Sequence, residues 1–179
     1  MSSLLAIRQA TPADIPAITT IYAHAVSYGT ATFEIEPPDE QEMTARFRSL
    51  IDGGFPYLVA ESGGGVCGYA YAGPYRARIA YRYTLEDSVY VAPAFHRQGI
   101  GRALVDALVA AAEAREFRQM IAVIGDSAQD ASIALHRAAG FERIGTFAAV
   151  GFKFGRWLDT VLMQRPLRDG AATLPGNIG

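Results

Sequence analysis

Two glycines, Gly99 and Gly101, stand between an alternating apolar run and an amphipathic one, and the chemistry of the chain gathers around them. The segment reads Ser88-Val89-Tyr90-Val91-Ala92-Pro93-Ala94-Phe95-His96-Arg97-Gln98-Gly99-Ile100-Gly101-Arg102-Ala103-Leu104. Strand, loop, glycines and helix in that order present free backbone N–H groups and the positive end of a helix to anything bound in the loop. Such a site favours phosphate oxygens. Gly99 and Gly101 would let a ligand approach the main chain around Gln98 and Ile100, and Arg97 and Arg102 would add side-chain charge. The expected ligand is a cofactor bearing a pyrophosphate. It is not read by a dinucleotide fingerprint, because the position three residues after Gly101 is Leu104, nor by a Walker loop, because no Gly-Lys-Ser/Thr run occurs.

Just before this loop the apolar run carries two acids. Side chains alternate along a strand, so Glu86, Ser88 and Tyr90 share one face while Leu85, Asp87, Val89 and Val91 share the other. An acid beside a cofactor loop can take a proton from a reacting group. Left in solvent it would only cap the strand. Two arginines, Arg76 and Arg78, precede the same strand in a tyrosine-bearing connection, and their planar forks suit a carboxylate or other paired oxygens. His136 and His24 lie on predicted helices, and His24 is read as structural.

These groups need elements to hold them. Leu4 to Arg8 reads as a first strand, and Thr11-Pro12 as a cap and first turn opening a helix that carries Ile15, Ile18, Ile21 and Tyr22 on one face. Ser27 to Pro38 reads as a loop holding Phe33, and Asp39 to Ile51 as a second helix closed by Gly53-Gly54. Tyr57 to Glu61 and Val66 to Gly73 read as a hairpin around Ser62 to Gly65, and Leu85 to Val91 as the next strand. A long helix follows the glycines, with Ile100, Ala103, Leu104, Ala107, Leu108 and Ala111 facing a sheet. Met120 to Ile124 is a strand, Asp130 to Ala139 a helix ended by Gly140, and Arg143 to Val150 with Leu158 to Gln164 a closing antiparallel pair in which Trp157 is read as a core anchor. The expected class is α/β, a mixed and mostly antiparallel sheet flanked by helices in the order β-α-α-β-β-β-α-β-α-β-β. A single domain spans 1–167, followed by a Gly/Ala/Pro-rich tail from Arg168 expected to be disordered.

The chain has 16 basic and 18 acidic residues, a net charge of -2, which excludes the basic excess of a nucleic-acid binder. No segment has the length and apolarity of a membrane span, and the opening residues lack the charged and apolar regions of a signal peptide. The lone cysteine, Cys67, sits in an apolar strand and reads as a small core residue, in keeping with a reducing cytoplasm. No metal-ligand cluster is expected.

The loop resembles the acyl-CoA pyrophosphate loop of the GNAT superfamily of N-acetyltransferases, Gln/Arg-x-x-Gly-x-Gly/Ala, with His96 at the first position here. Leu85-Glu86-Asp87-Ser88-Val89-Tyr90-Val91 is similar to the Val-Glu-x-Ser/Thr-Val-Tyr-Val segment of the phosphinothricin and methionine sulfoximine acetyltransferases. Leu135-His136-Arg137-Ala138-Ala139-Gly140-Phe141 carries that subfamily's histidine where the wider family has tyrosine. The resemblance implies a GNAT fold and acetyl-CoA as cosubstrate, held by main-chain positions Val89, Tyr90 and Val91, by the loop, and by Gln129 in place of the usual asparagine. It implies Glu86 as general base, acting directly or through water, and His136 as acid, base relay or structural residue. Phe33, Arg76, Arg78, Glu86 and Asp87 are implied around a small amino-acid-like amine such as phosphinothricin, methionine sulfoximine or methionine sulfone. Homodimerisation is the family's habit. Two alternatives stay open: an acetyltransferase for a peptide or protein amine, and an acyl-CoA-binding sensor without catalysis.

Overall fold

A computed structural model describes residues 5–176. Its elements run β1 (Ala6–Gln9), α1 (Ile15–Tyr28), α2 (Glu40–Asp52), β2 (Tyr57–Ser62), β3 (Gly65–Pro74), β4 (Thr84–Val91), α3 (Ile100–Ala114), β5 (Gln119–Gly125), α4 (Asp130–Ala138), β6 (Glu142–Lys153) and β7 (Arg156–Pro166). The order is the one expected. Leu4, where the first strand was expected to begin, lies outside the described residues. The first turn after Thr11 tightens into a 3-10 turn over Pro12–Asp14. The Asp14 carboxylate accepts from the Thr11 amide and hydroxyl at 2.7 and 3.0 Å and from the Arg8 guanidinium at 2.7 and 2.8 Å. Helix α1 continues through Ser27 and Tyr28, into the segment expected to be loop. Asp39 caps α2 by accepting from the Glu42 amide at 2.8 Å.

The seven strands form one sheet in the order β1-β2-β3-β4-β5-β7-β6. Every pair is antiparallel except β4 with β5. Strand alternation divides the core. Leu58, Ala60, Ala70, Ala72, Leu85, Met120 and Ala122 pack with α3, while Tyr57, Val59 and Tyr69 pack with α1 and α2. On α3 the buried stripe is Ile100, Leu104, Val105, Leu108, Val109 and Ala112, rotated from the expected one, with Ala103 and Ala107 at its margin. Full burial of each of Leu104 and Leu108 is worth roughly 1.5–3 kcal/mol, which fixes the helix that opens with the glycine loop.

The pairing of β4 with β5 positions the site. It covers only Thr84–Asp87 against Gln119–Ala122. Beyond it β4 stays with β3 as far as Val91, and β5 stays with β7 as far as Gly125. The two central strands therefore splay into a wedge.

Two expectations about β6 and β7 are corrected. Strands β6 and β7 are joined by a tight turn at Phe154 and Gly155, both left-handed (φ 54° and 72°), so the pair extends beyond the expected ends at Val150 and Leu158 to Lys153 and Arg156. Leu158 and Thr160 take the covered face of β7, leaving Trp157 65% exposed against Phe152 at a ring distance of 5.3 Å. Trp157 is not a core anchor. Beyond the fully buried Leu167, Arg118 Nη2 donates to Thr173 Oγ1 and to the Leu174 carbonyl, both at 2.8 Å. Cys67 is buried and unpaired, as its apolar strand suggested.

Candidate active site

The wedge exposes main-chain groups of known direction. Ala92 donates to the Cys67 carbonyl and Tyr75 to the Thr84 carbonyl, so residues 84, 86, 88, 90 and 92 hydrogen-bond toward β3. The odd residues point the other way. Leu85 and Asp87 meet β5, whereas Val89 and Val91 lie beyond that pairing and aim their N–H groups into the gap. Two neighbouring donors without a strand partner suit an acyl oxygen or amide carbonyls of an extended ligand. Tyr90, expected beside them, has its main chain committed to β3 and its ring turned to the other face, 5.1 Å from Tyr22.

The glycine loop lies where β4 ends. Among the described residues the first amide of this junction with a backbone acceptor is that of Ala103, to the Gly99 carbonyl at 3.0 Å. The amides of Arg97, Gln98, Gly99, Ile100, Gly101 and Arg102 have none, and residues 97–99 are exposed. Arg97 and Gly99 are both left-handed (φ 60° and 78°), which curls successive amides into an anion-binding turn. These groups fit a pyrophosphate. The two glycines serve different ends. A Cβ on Gly99 would meet nothing, but one on Gly101 would lie 2.6 Å from Leu135 Cδ1, so Gly101 allows α3 to approach α4 rather than leaving room for the ligand. Arg102 pairs with Asp106 at 2.6 Å, which offsets the charge it was expected to lend. His96 donates from Nε2 to the Val91 carbonyl at 2.9 Å and ties the loop back to β4.

A cavity of about 310 Å³ passes through the sheet at the wedge and is lined from both faces. On the α1 side stand Tyr22, Phe33, Tyr71, Glu86, Ser88 and Tyr90; on the α4 side stand Asp87, Gln129, Ser132 and His136. Burial pushes the Glu86 carboxyl above its usual range, with the Asp87 charge adding to the rise and Arg76 opposing it. A half-buried carboxyl shifted toward neutrality is suited to accept an ammonium proton. Phe33 is held in a slot, since a Cβ on Gly125 or Gly151 would lie 2.8 or 2.3 Å from its ring. Arg76 stays exposed outside the cavity wall, 5.1 Å over the Tyr75 ring, close enough for its charge to reach Glu86. Arg78 is exposed as well and stands before the short turn Ile79–Tyr81, away from the cavity lining.

His136 is 3% exposed and Asp87 6%. Nδ1 lies 2.8 Å from the Ser132 carbonyl and Nε2 lies 3.0 Å from Asp87 Oδ2. A carbonyl can only accept, so Nδ1 carries a proton, and Nε2 shares a hydrogen bond with the Asp87 carboxyl. Burial alone would lower the pKa of the ring, but the hydrogen bond and charge of Asp87, with the Ser132 carbonyl, outweigh it and raise the value. The ring is held between two oxygen partners that favour its protonated form. Asp87 is thereby found beneath His136, with its Oδ1 buried and unpartnered, rather than in solvent at the end of a strand.

Sequence reasoning missed the group that holds the Phe33 loop. Lys153, the only lysine in the chain, is 3% exposed and donates to the Gly29 and Thr32 carbonyls at 2.9 Å each. Gln129 donates to Thr30 Oγ1 at 2.9 Å, and Thr30 in turn donates to Asp126, which Arg156 pairs at 2.6 Å. Gln129 thus lies in the cavity wall with its amide nitrogen already engaged. A lone lysine set among fifteen arginines was the available signal.

Residues 18–141 match the family profile described as Acetyltransferase (GNAT) family. The phosphinothricin N-acetyltransferase of Alcaligenes faecalis is 59% identical over 162 residues, covering 90% of this chain and 82% of that protein. The L-methionine sulfoximine/L-methionine sulfone acetyltransferase of Salmonella typhimurium is 41% identical over 169 residues, covering 94% and 98%. The crystal structure of a phosphinothricin acetyltransferase from Sinorhizobium meliloti in complex with AcCoA superposes with a TM-score of 0.94 at 51% identity, covering 97% of this chain and 94% of that one. With the splayed strands, the amide-rich loop and this extent of similarity together, the chain belongs to the GNAT family of acetyltransferases.

Proposed function

We infer that this protein transfers the acetyl group of acetyl-CoA to the amino group of a small amino-acid-like acceptor of the phosphinothricin or methionine sulfone type. The observation that carries the reading is the cavity of about 310 Å³ through the sheet, with Glu86 and Val89 in its lining and the β4–β5 pairing ended at Asp87. A cavity of that size suits a free amino-acid analogue better than a peptide, which needs an open groove. Acetyl-CoA supplies the activated acyl group. The amides of residues 97–102 hold its pyrophosphate, and the wedge amides of Val89 and Val91 hold carbonyl oxygens along its arm. Gln129 closes that side. Glu86 removes the ammonium proton, directly or through a water, so that the neutral amine can attack. His136, held between its two oxygen partners, contributes positive charge on the side where the thiolate departs. Arg76 holds the acceptor's carboxylate or sulfone oxygens at the mouth, with Phe33 as the apolar wall.

Acetyl-CoA at a hundred times its Kd should add about 2.7 kcal/mol to stability, raising Tm by roughly 5–10 °C. Thiol release should follow with methionine sulfone or phosphinothricin and not with a short peptide. Arg76→Ala should raise the acceptor KM roughly ten- to a hundredfold and leave that of acetyl-CoA unchanged. Thiol release with the peptide alone would overturn the small-acceptor reading.

We also infer a homodimer. Ile144, Phe147, Val150, Phe152, Phe154 and Trp157 are each at least 55% exposed on the hairpin of the edge strand β6, a large apolar patch for a lone chain. Sedimentation should give twice the chain mass, and Phe152→Glu with Trp157→Glu should halve it. A cytoplasmic setting accords with a single, buried, unpaired thiol, and no helix among the described residues is long and apolar enough to cross a membrane.

A further inference from the structure

Behind the acceptor side of the cavity lies a second, smaller void of about 40 Å³. Its walls include Arg46, Tyr57 and Tyr69, and it shares Tyr22 and Tyr71 with the main cavity. Those two side chains are the partition. Both tyrosines of β3 face the same side, so the void continues the row of side chains that starts at Glu86 and Ser88 on the neighbouring strand.

The two halves of the partition are held differently. Tyr22 is fixed by hydrogen bonds to Thr32 Oγ1 and Glu34 Oε1, each 2.9 Å. Tyr71 has a hydrogen bond to Ser88 and stacks on Tyr57 at a ring distance of 5.1 Å. One polar group at the void lacks a partner. The Tyr69 hydroxyl is fully buried without a hydrogen-bond partner, whereas Arg46, which also lines the void, is already paired with Glu34 at 2.6 Å and Glu42 at 2.8 Å. A buried hydroxyl left unpaired is costly, so the void favours an oxygen acceptor arriving from the pocket.

We propose that this void is a closed-off extension of the acceptor pocket and that Tyr71 sets the longest acceptor side chain the enzyme accepts. Its ring stands between the pocket and the void. With the ring removed, the pocket runs on to the Tyr69 hydroxyl and admits a longer chain carrying a sulfonyl, phosphinyl or amide oxygen. The proposal rests on the small-acceptor reading above.

The test compares methionine sulfone with its S-butyl homologue, following thiol release from acetyl-CoA. Tyr71→Ala should raise the ratio of kcat/KM for the long over the short acceptor by roughly tenfold or more. Tyr71→Leu, which keeps apolar cover over Tyr57, should raise it by less. Tyr71→Phe, which keeps the ring, should leave it unchanged. Adding Tyr69→Phe to Tyr71→Ala should remove the preference of the long acceptor's sulfone over the matching thioether. A ratio is read per active molecule, so partial unfolding of a variant does not mimic the result. Turnover of methionine sulfone with the same ratio in wild type, Tyr71→Ala and Tyr71→Leu overturns the partition and leaves the activity standing. Turnover of neither acceptor by the wild type overturns both.

Discussion

Glu86→Gln is expected to lower kcat by about a hundred- to ten-thousandfold while acetyl-CoA binding stays near its original value. The substitution keeps the side chain's shape and removes its ability to take a proton. The pH profile supplies a second sign. Burial and Asp87 hold the Glu86 carboxyl above its usual range, so wild-type kcat/KM should rise with pH through a pKa higher than that of an ordinary glutamate, and the variant should lack that limb. Stability runs the opposite way. Because the folded pKa is raised, the folded state binds more protons than the unfolded one in that window, and stability falls as pH climbs through it. Glutamine carries no such loss, so at neutral pH the variant should melt at the same temperature or higher. Lost turnover with retained Tm is the signature of a base kept at the expense of stability. Full activity in Glu86→Gln would return the residue to a strand cap.

The features legible in the sequence were those with a local cause. Alternation over Leu85 to Val91 assigned Glu86 and Asp87 to opposite faces, and the structure keeps them there. The glycines located the loop and the start of α3. What escaped was set by distant partners. Nothing near Gly101 says that Leu135 will lie against it. The slot for Phe33 is made by Gly125 and Gly151, on strands far along the chain, and the lysine that holds its loop comes from the end of β6. Trp157 was misread for the same reason, because which face of β7 is covered depends on helix packing and not on the strand's own residues. The splay of β4 from β5 is also a tertiary property. It could be inferred from resemblance, but its extent comes from where β5 turns to pair with β7 alone.

His136→Phe should be costly to the fold, because it leaves the Asp87 carboxylate buried with neither oxygen hydrogen-bonded. Breaking a buried ion pair from one side costs about 3–5 kcal/mol, hence roughly 6–20 °C in Tm for a chain of this length. His136→Phe with Asp87→Leu removes both charges and should recover most of that loss, since a buried pair replaced by apolar groups is often neutral. The double variant then separates the two roles of the pair. If His136 supplies charge to the departing thiolate, the refolded double variant remains slow; if the pair only holds α4 against β4, turnover returns with stability. Asp87→Asn isolates the proton. In the wild type the raised pKa of His136 contributes stability that is complete below its reference value of 6.5 and is lost as pH rises through the folded pKa. With asparagine, Nε2 accepts a hydrogen bond from the amide while Nδ1–H keeps the Ser132 carbonyl, so the buried ring is neutral and its pKa falls. Stability should then increase with pH up to about 6.5, reversing the wild-type slope. Melting curves between pH 5 and 8 would read the sign directly, and parallel slopes for the two proteins would mean that His136 is neutral in the native enzyme and that its charge plays no part in the transfer.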